Sequence, residues 1–399
     1  MFGETPGGLR ATVRQPGAAV HVATRTHHIP DTIFPRIIHR AAIWEVTVAS
    51  NELDQRKEAI LRTIVRDFIL DGQPVGSRRV VEELELTVSA ATVRADMVAL
   101  EQAGLIRQPH TSAGRIPTDA GYRYYVDHLT SKDLVRPAQP DAVDRVLLDA
   151  TDVEDLLRRT SSVLSRLTRL TALVAAPRLD RSRLRHIELV ALGRSTILLV
   201  FIADTGRVEK RILDLDAPVD DVDVQRARYV VNSAAAGLRL TDAHDAINGV
   251  SLAAPSELRR LLDRVADTIA AGSATAVPQV DRVFVGGAAQ LALRATDETI
   301  DRLADVYDML EEQVVLLSML RETLTEDDPA IRIGSELPFV ELAPFAMVAS
   351  SYGASGEAVG SLGLLGPTRM DYGQAVASVR AVATSLERAL AALTGSTDS

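Results

Sequence analysis

The sequence predicts an α+β multidomain protein: an N-terminal winged helix-turn-helix, then a mixed α/β domain interrupted by a second, inserted domain. Three observations predict it. Helical stripes over 52–70, 78–83 and 89–100 run into a hairpin-like segment over 105–117. Beyond residue 151, strand-like runs come in two groups, separated by a helical stretch and closed by a helix. A chain of 399 residues also exceeds one ordinary core, so two or three domains are expected.

Taken in order, residues 1–49 mix Gly, Pro, Arg and His without helical or strand period. They read as a disordered extension or as a start codon assigned too far upstream. The first strong helix carries Leu53, Arg56, Ile60, Ile64 (with Leu61 and Val65) and Phe68 on one stripe at helical spacing and stops at Asp71, Gly72, Gln73 and Pro74. Ser77 reads as the N-cap of a short helix over 78–83. Ser89 reads as the cap of a third helix, with Val93, Met97 and Leu100 inward and Gly104 at its end. Tyr122, Tyr124, Tyr125, Val126 and Leu129 form a helix that closes this domain, over 50–130. Residues 131–150 read as a linker.

From Val153, a heptad-like stripe of Leu156, Leu157, Thr160, Val163, Leu164, Leu167 and Leu170 asks for a partner, in its own domain or in a second subunit. Three strands are expected over 186–192, 196–203 and 208–215, the last two joined by the turn Asp204, Thr205, Gly206 and Arg207. Helices over 223–238 and 255–271 lead to a strand over 281–285. A long amphipathic helix over 298–324, strands over 331–334, 345–351 and 358–365, and a helix over 372–393 complete the chain. The expected division is 151–215 for the first part of the mixed domain, 216–297 for the insert and 298–399 for the second part.

Composition narrows the chemistry. The absence of Cys removes disulfides, thiolate catalysis and Cys-based zinc sites, and fits a reducing cytoplasmic setting. No apolar run reaches the ~20 residues that span a bilayer. The net charge is −10, and residues 51–130 carry ten Arg plus Lys against twelve Asp plus Glu, so contact with nucleic acid requires a local basic face. Only three residues are Lys and 41 are Arg, a bias that codon usage in a GC-rich genome explains. No metal site or cofactor loop is predicted: the His residues are scattered, and Gly286-Gly287 is followed by no phosphate-binding pattern. No catalytic set of acid, base and nucleophile is found, so an enzyme is not expected.

The helix and wing point instead to double-stranded DNA. A recognition helix meets base edges with its first turns. Here Ser89, Ala90, Thr92, Arg94 and Ala95 face away from the Val93 and Met97 stripe, and Arg94 alone among them can grip guanine with two hydrogen bonds. Ser77 and Arg78 begin the preceding helix. At the wing, Thr111, Ser112 and Gly114 form a small-residue tip, flanked by His110 and Arg115, which could reach phosphate or the minor groove. The run Gly366-Pro367-Thr368-Arg369-Met370-Asp371-Tyr372 reads as a turn with Asp371 capping the last helix, as a pocket rim, or as an interdomain latch using Arg369 and Asp371.

These segments carry a family likeness. Val75-Gly76-Ser77, Ser89 through Met97, Gly104-Leu105-Ile106, the run from Gln108 to Thr118, Gly121-Tyr122, Arg185 through Val190, Glu311-Glu312-Gln313, Ile331-Arg332-Ile333-Gly334 and Gly366 through Tyr372 closely resemble the HrcA family of heat-inducible transcription repressors. The resemblance covers 50–395. It implies a winged-helix domain, a GAF-like domain and an inserted dimerising domain. It also implies a homodimer that represses chaperone operons such as groEL/groES and dnaK through an inverted repeat called CIRCE, with the chaperonin GroEL as a partner. Two departures stand out: the family usually has Asn where this chain has Ala95, and residues 1–47 have no counterpart. The rival expectation is a winged-helix and GAF-type regulator that responds to a small molecule.

Overall fold

The computed structural model describes residues 53–394, apart from 86, 112, 131–132, 135–139, 178–181, 274–281, 297–298, 324–328 and 355–356. The readings of residues 1–49 and of Ser112 therefore lie outside the described residues. The chain mixes helices with antiparallel sheets, as an α+β class requires.

Three helices open the described chain. Helix α1 (Gln55–Asp71) starts at Asp54, whose carboxylate accepts from the Lys57 N–H at 2.9 Å. Helix α2 (Ser77–Glu83) corrects one expectation: Gly76, not Ser77, is its N-cap, and Ser77 is the first helical residue, buried. Helix α3 (Ala90–Gln102) is capped as expected, Ser89 Oγ accepting from the Thr92 N–H at 3.2 Å. Val93, Met97 and Leu100 are buried and contribute about 1.5–3 kcal/mol each by leaving water. Gly104 follows with φ 74°, and the chain turns into the antiparallel pair β1 (Ile106–Arg107) and β2 (Ile116–Pro117). Helix α4 (Asp119–Asp127) comes next, capped by Thr118.

The remaining elements form two further layers. Helices α5 (Pro140–Leu148) and α6 (Val153–Thr168) lead into β3 (Thr171–Ala175). The chain then departs into β4 (Leu184–Ala191), β5 (Thr196–Ala203) and β6 (Val208–Asp214), followed by α7 (Asp221–Ala235), α8 (Leu240–Ser251) and α9 (Ser256–Ser273). It returns as β7 (Val283–Gly286), which pairs antiparallel with β3. Helices α10 (Ala289–Leu293), α11 (Leu303–Glu311) and α12 (Gln313–Thr323), strands β8 (Ala330–Ile333), β9 (Phe345–Ala354) and β10 (Glu357–Pro367), and helix α13 (Tyr372–Thr394) finish it.

Five strands form one sheet in the order β7-β3-β10-β9-β8. Both of its faces are covered. Ala172 and Val174 join Leu164 of α6 and Val379 of α13 in one cluster, while Leu173 and Ala175 join Val306 of α11 and Leu320 of α12 in another. Alternate residues of one strand thus serve opposite cores. The core beneath α6 and α13 continues into the buried residues of α1 to α4.

The three-stranded sheet β4-β5-β6 has its own core with α7, α8 and α9, built on Ile197, Leu199, Phe201, Val231, Ile247 and Leu262. The boundary expected between 215 and 216 cuts through this unit, because strand order alone does not reveal which helices the strands pack on. The structure also places α5 inside the expected linker and adds β3 and α8, which were not foreseen. The single helix expected over 298–324 is two, separated where Glu312 takes extended angles (φ −92°, ψ 98°).

Candidate nucleic-acid interface

Helix geometry decides which side chains of α3 are free. Val93, Asp96, Met97 and Leu100 face inward, whereas Ala91, Thr92, Arg94, Ala95 and Val98 are exposed and Ala90 is half-buried. Asp96 is held by Arg56, whose Nε and Nη2 donate to its two oxygens at 2.8 and 3.1 Å. The buried carboxylate therefore ties α3 to α1 and turns no negative charge outward.

The same test sorts the arginines of this module. Arg62 pairs with Asp133, Arg66 with Glu83, Arg79 with Asp67 and Asp71, Arg115 with Glu101, and Arg123 with Glu336. Arg78 and Arg94 are exposed, and neither has an ion-pair or hydrogen-bond partner for its guanidinium among the described residues. Among the described residues of this module, the positive charges of Arg78 and Arg94 are thus left open at the start of α2 and in the middle of α3, while Glu58, Glu82 and Glu85 are acids likewise left without an ion pair. An unpaired guanidinium suits a phosphate or a guanine edge.

The β1–β2 hairpin is built around one carboxylate. Glu101, near the end of α3, accepts from the Gln108 N–H at 3.0 Å and from Arg115 Nη2 at 2.9 Å. The Gln108 amide donates to the carbonyls of Thr111 and Ala113, each at 2.9 Å, and closes the tip. Val75 and Arg115 exchange backbone hydrogen bonds of 2.9 Å each, so the hairpin is also stitched to the entry of α2. A Cβ on Gly114 would lie 2.4 Å from the Val75 carbonyl oxygen, and one on Gly121 would lie 2.0 Å from that of Leu105. Both positions therefore need glycine for close backbone approach.

The structure sorts the expected contact residues into two groups. Arg78, Ser89, Thr92, Arg94, Ala95, His110 and Thr111 are exposed, with Ala90 at their edge. Ser77 is buried, and the Arg115 side chain is only 15 % exposed and committed to Glu101. Arg115 thus anchors the hairpin, a placement that spacing did not reveal because its partner lies 14 residues away on another element. Glu101 and Arg56 organise the site and were missed for the same reason.

The run from Gly366 to Tyr372 also packs on this module, against Phe68, Gly72 and Tyr122. Asp371 accepts from the Gln374 N–H at 2.9 Å and caps α13. Arg369 lies 6.0 Å over the Phe68 ring and against Gly72, where an added Cβ would be 1.8 Å from its Nη1. Tyr372 is fully buried, which pushes its hydroxyl well up; it donates to the Thr368 carbonyl at 2.7 Å, and its ring stands 5.9 Å from that of Tyr122. Beside it, Arg123 donates to Glu336 and to the Ile331 carbonyl. Burial works against the Arg123 charge, but the Glu336 and Asp127 carboxylates together outweigh it and raise the guanidinium. Asp119 accepts from the Ser335 N–H at 3.2 Å. Three stretches far apart in sequence, 119–123, 331–336 and 366–372, therefore meet at one junction.

Among the described residues, no cluster of three or more His, Asp or Glu side chains could hold a metal ion, and no helix is long and apolar enough to cross a membrane.

Comparison with known proteins agrees with this architecture. Residues 154–376 match the family model described as HrcA protein C terminal domain. The chain is 43 % identical over 339 residues to the heat-inducible transcription repressor HrcA of Acidothermus cellulolyticus, covering 85 % of this chain and 99 % of that one. It is 44 % identical over 331 residues to the protein of the same name from Frankia casuarinae, covering 83 % and 97 %. A crystal structure of a hypothetical protein at 2.2 Å resolution superposes with a TM-score of 0.55 at 23 % identity, covering 87 % of this chain and 100 % of that one, which supports the fold. The protein is a transcription repressor and not an enzyme. It belongs to the HrcA family of heat-inducible transcription repressors.

Proposed function

We propose that this protein is a dimeric repressor of chaperone operons such as groEL/groES and dnaK. It binds an inverted-repeat operator of the CIRCE type through a winged helix-turn-helix made of α1 to α4 and the β1–β2 wing. The observation that carries this reading is the pair of guanidinium groups, Arg78 and Arg94, exposed on α2 and α3 and without a partner among the described residues. Arg78 supplies phosphate affinity, Arg94 reads guanine, and the wing tip, with His110, Thr111 and Ser112, follows the backbone. Ser77 and Arg115 act indirectly, by holding α2 and the wing in place.

A two-fold dimer matches an inverted repeat. The unit formed by β4–β6 and α7–α9 is the dimerising insert in this reading. Its support is apolar surface left open on those helices: Tyr229 is 75 % exposed, Leu252 76 % and Val222 54 %. The junction around Arg369, Asp371 and the Arg123–Glu336 pair serves as the interdomain latch that fixes the reading domains relative to the GAF-like sheet. Heat lowers the population of active dimer, and GroEL, in the cytoplasm, restores it by refolding.

The test is a mobility shift with the full chain and an inverted-repeat duplex. A single dimer complex should form at growth temperature, vanish after a heat step, and return faster with GroEL and ATP. A complex that survives the heat step, or one indifferent to GroEL, would contradict the regulatory half of the proposal.

A further inference from the structure

The outward face of α3 is poor in hydrogen-bonding groups. On a helix turning 100° per residue, the side opposite Val93, Met97 and Leu100 is centred on Ala91, Ala95, Val98 and Gln102. All four are exposed, Val98 at 40 %. Arg94 stands at the edge of this face. The nearby hydroxyls of Ser89 and Thr92 are engaged with each other at 3.1 Å, and Ser89 Oγ also caps the helix. Gln102 is the last residue of α3, beyond the first turns that reach base edges. Between the cap and that end, the exposed face offers one long donor, Arg94, flanked by aliphatic side chains.

In the major groove each base pair shows a distinct pattern, and the thymine 5-methyl is its apolar mark. An aliphatic side chain over adenine N6 and N7 or cytosine N4 leaves those groups without partners, which is unfavourable. Over thymine, the same side chain gains methyl contact. Arg94 and Val98 are separated by about 6 Å along the helix axis, close to two base-pair steps of about 3.4 Å.

Resting on the DNA-binding reading above, we propose that Ala95 and Val98 are specificity-determining residues that read thymine 5-methyl groups, within two or three base pairs of a guanine held by Arg94. The operator half-site is then selected at these positions by methyl contact and not by a side-chain amide.

The test begins with the full chain enriching duplexes from a random-sequence library. In the enriched half-site each thymine is replaced singly by uracil, which removes only the methyl, and each guanine by 7-deazaguanine, which removes only N7. Uracil at one or two positions should weaken binding about three- to fivefold each, the effect of one buried methyl. One 7-deazaguanine should weaken it about tenfold or more. In Ala95→Ser or Val98→Ser chains, with unchanged melting temperature, the matching uracil penalty should vanish, and in Arg94→Gln the 7-deazaguanine penalty should vanish. Uracil duplexes that bind like their parents at every position overturn methyl reading while leaving DNA binding intact. A uracil penalty untouched by both serine variants overturns the assignment to Ala95 and Val98. Failure to enrich any duplex brings down the DNA-binding reading itself, and this inference with it.

Discussion

Arginines in this chain divide by whether a carboxylate has already claimed them. Arg94→Gln should weaken operator binding by about 1–3 kcal/mol and relax preference at one base pair. Arg78→Gln should weaken all sequences alike and reduce the salt slope by about one. Neither change should move the melting temperature, since both side chains are exposed and unpaired among the described residues. Arg115→Gln differs: it takes the ion pair from Glu101, leaves that carboxylate only the Gln108 N–H and loosens the wing, so it should lower thermal stability together with affinity. Equal melting temperatures for Arg115→Gln and the wild type would contradict that anchoring role. The exposure of Arg94 and Ala95 was legible from helical period alone, because Val93, Met97 and Leu100 define the inner face. The pairing of Arg115 with Glu101, and of Arg56 with Asp96 across 40 residues, was not. Ion pairs depend on which elements meet, and a single sequence carries no direct record of that.

At the scale of the element, local chemistry predicted some features well and others poorly. The caps at Ser89 and Gly104 and the hairpin over 105–117 rest on residues within a few positions of each other, and they form as read. Strand β3 was lost because all five of its residues are buried between two helical layers. It therefore shows no alternation, and its apolar run continues the stripe of α6. The insert was drawn too small because a strand such as β5 alternates, and alternation says that one face is buried without saying against what. The tight approach of the wing to α2 gives a sharp test. Gly114→Ala forces a Cβ to 2.4 Å from the Val75 oxygen, and Gly121→Ala forces one to 2.0 Å from the Leu105 oxygen. Each should destabilise the domain by about 1–3 kcal/mol, seen as a lower midpoint in urea with little change in slope. Midpoints equal to the wild type would contradict the packing described.

Across the whole molecule, the junction couples the first module to the five-stranded sheet. A double-mutant cycle on Arg123→Gln and Glu336→Gln should give a coupling of about 0.5–3 kcal/mol in unfolding. A value of zero would make the pair incidental. Acid should act here too. Asp133 is partly buried, which alone would raise it, but hydrogen bonds from Thr130 and Arg62 hold it below the usual aspartate value. Asp144 is held down by Ser385 and then by Arg388. A depressed carboxylate stabilises the fold fully above its unfolded pKa and loses that contribution as pH falls through its folded one. Melting temperature should therefore be flat with respect to these two groups above the ordinary aspartate pKa and fall below it. Asp133→Asn and Asp144→Asn should each flatten the acid limb, and an unchanged limb would contradict their role. The proposed dimer belongs to the same scale: Tyr229→Asp with Leu252→Asp should yield monomers by sedimentation, and an undiminished dimer would place the interface elsewhere.

All of this converges on sequence-specific DNA binding by the exposed faces of α2, α3 and the wing. The most direct test is fluorescence anisotropy of the full-length chain with an inverted-repeat duplex and with a scrambled duplex of equal length and composition, across a range of salt. The account predicts binding to the repeat about a thousandfold or more tighter than to the scrambled duplex, with a steep salt dependence. That preference should collapse in Arg94→Gln. Equal affinity for both duplexes, or a preference that survives Arg94→Gln unchanged, would contradict it.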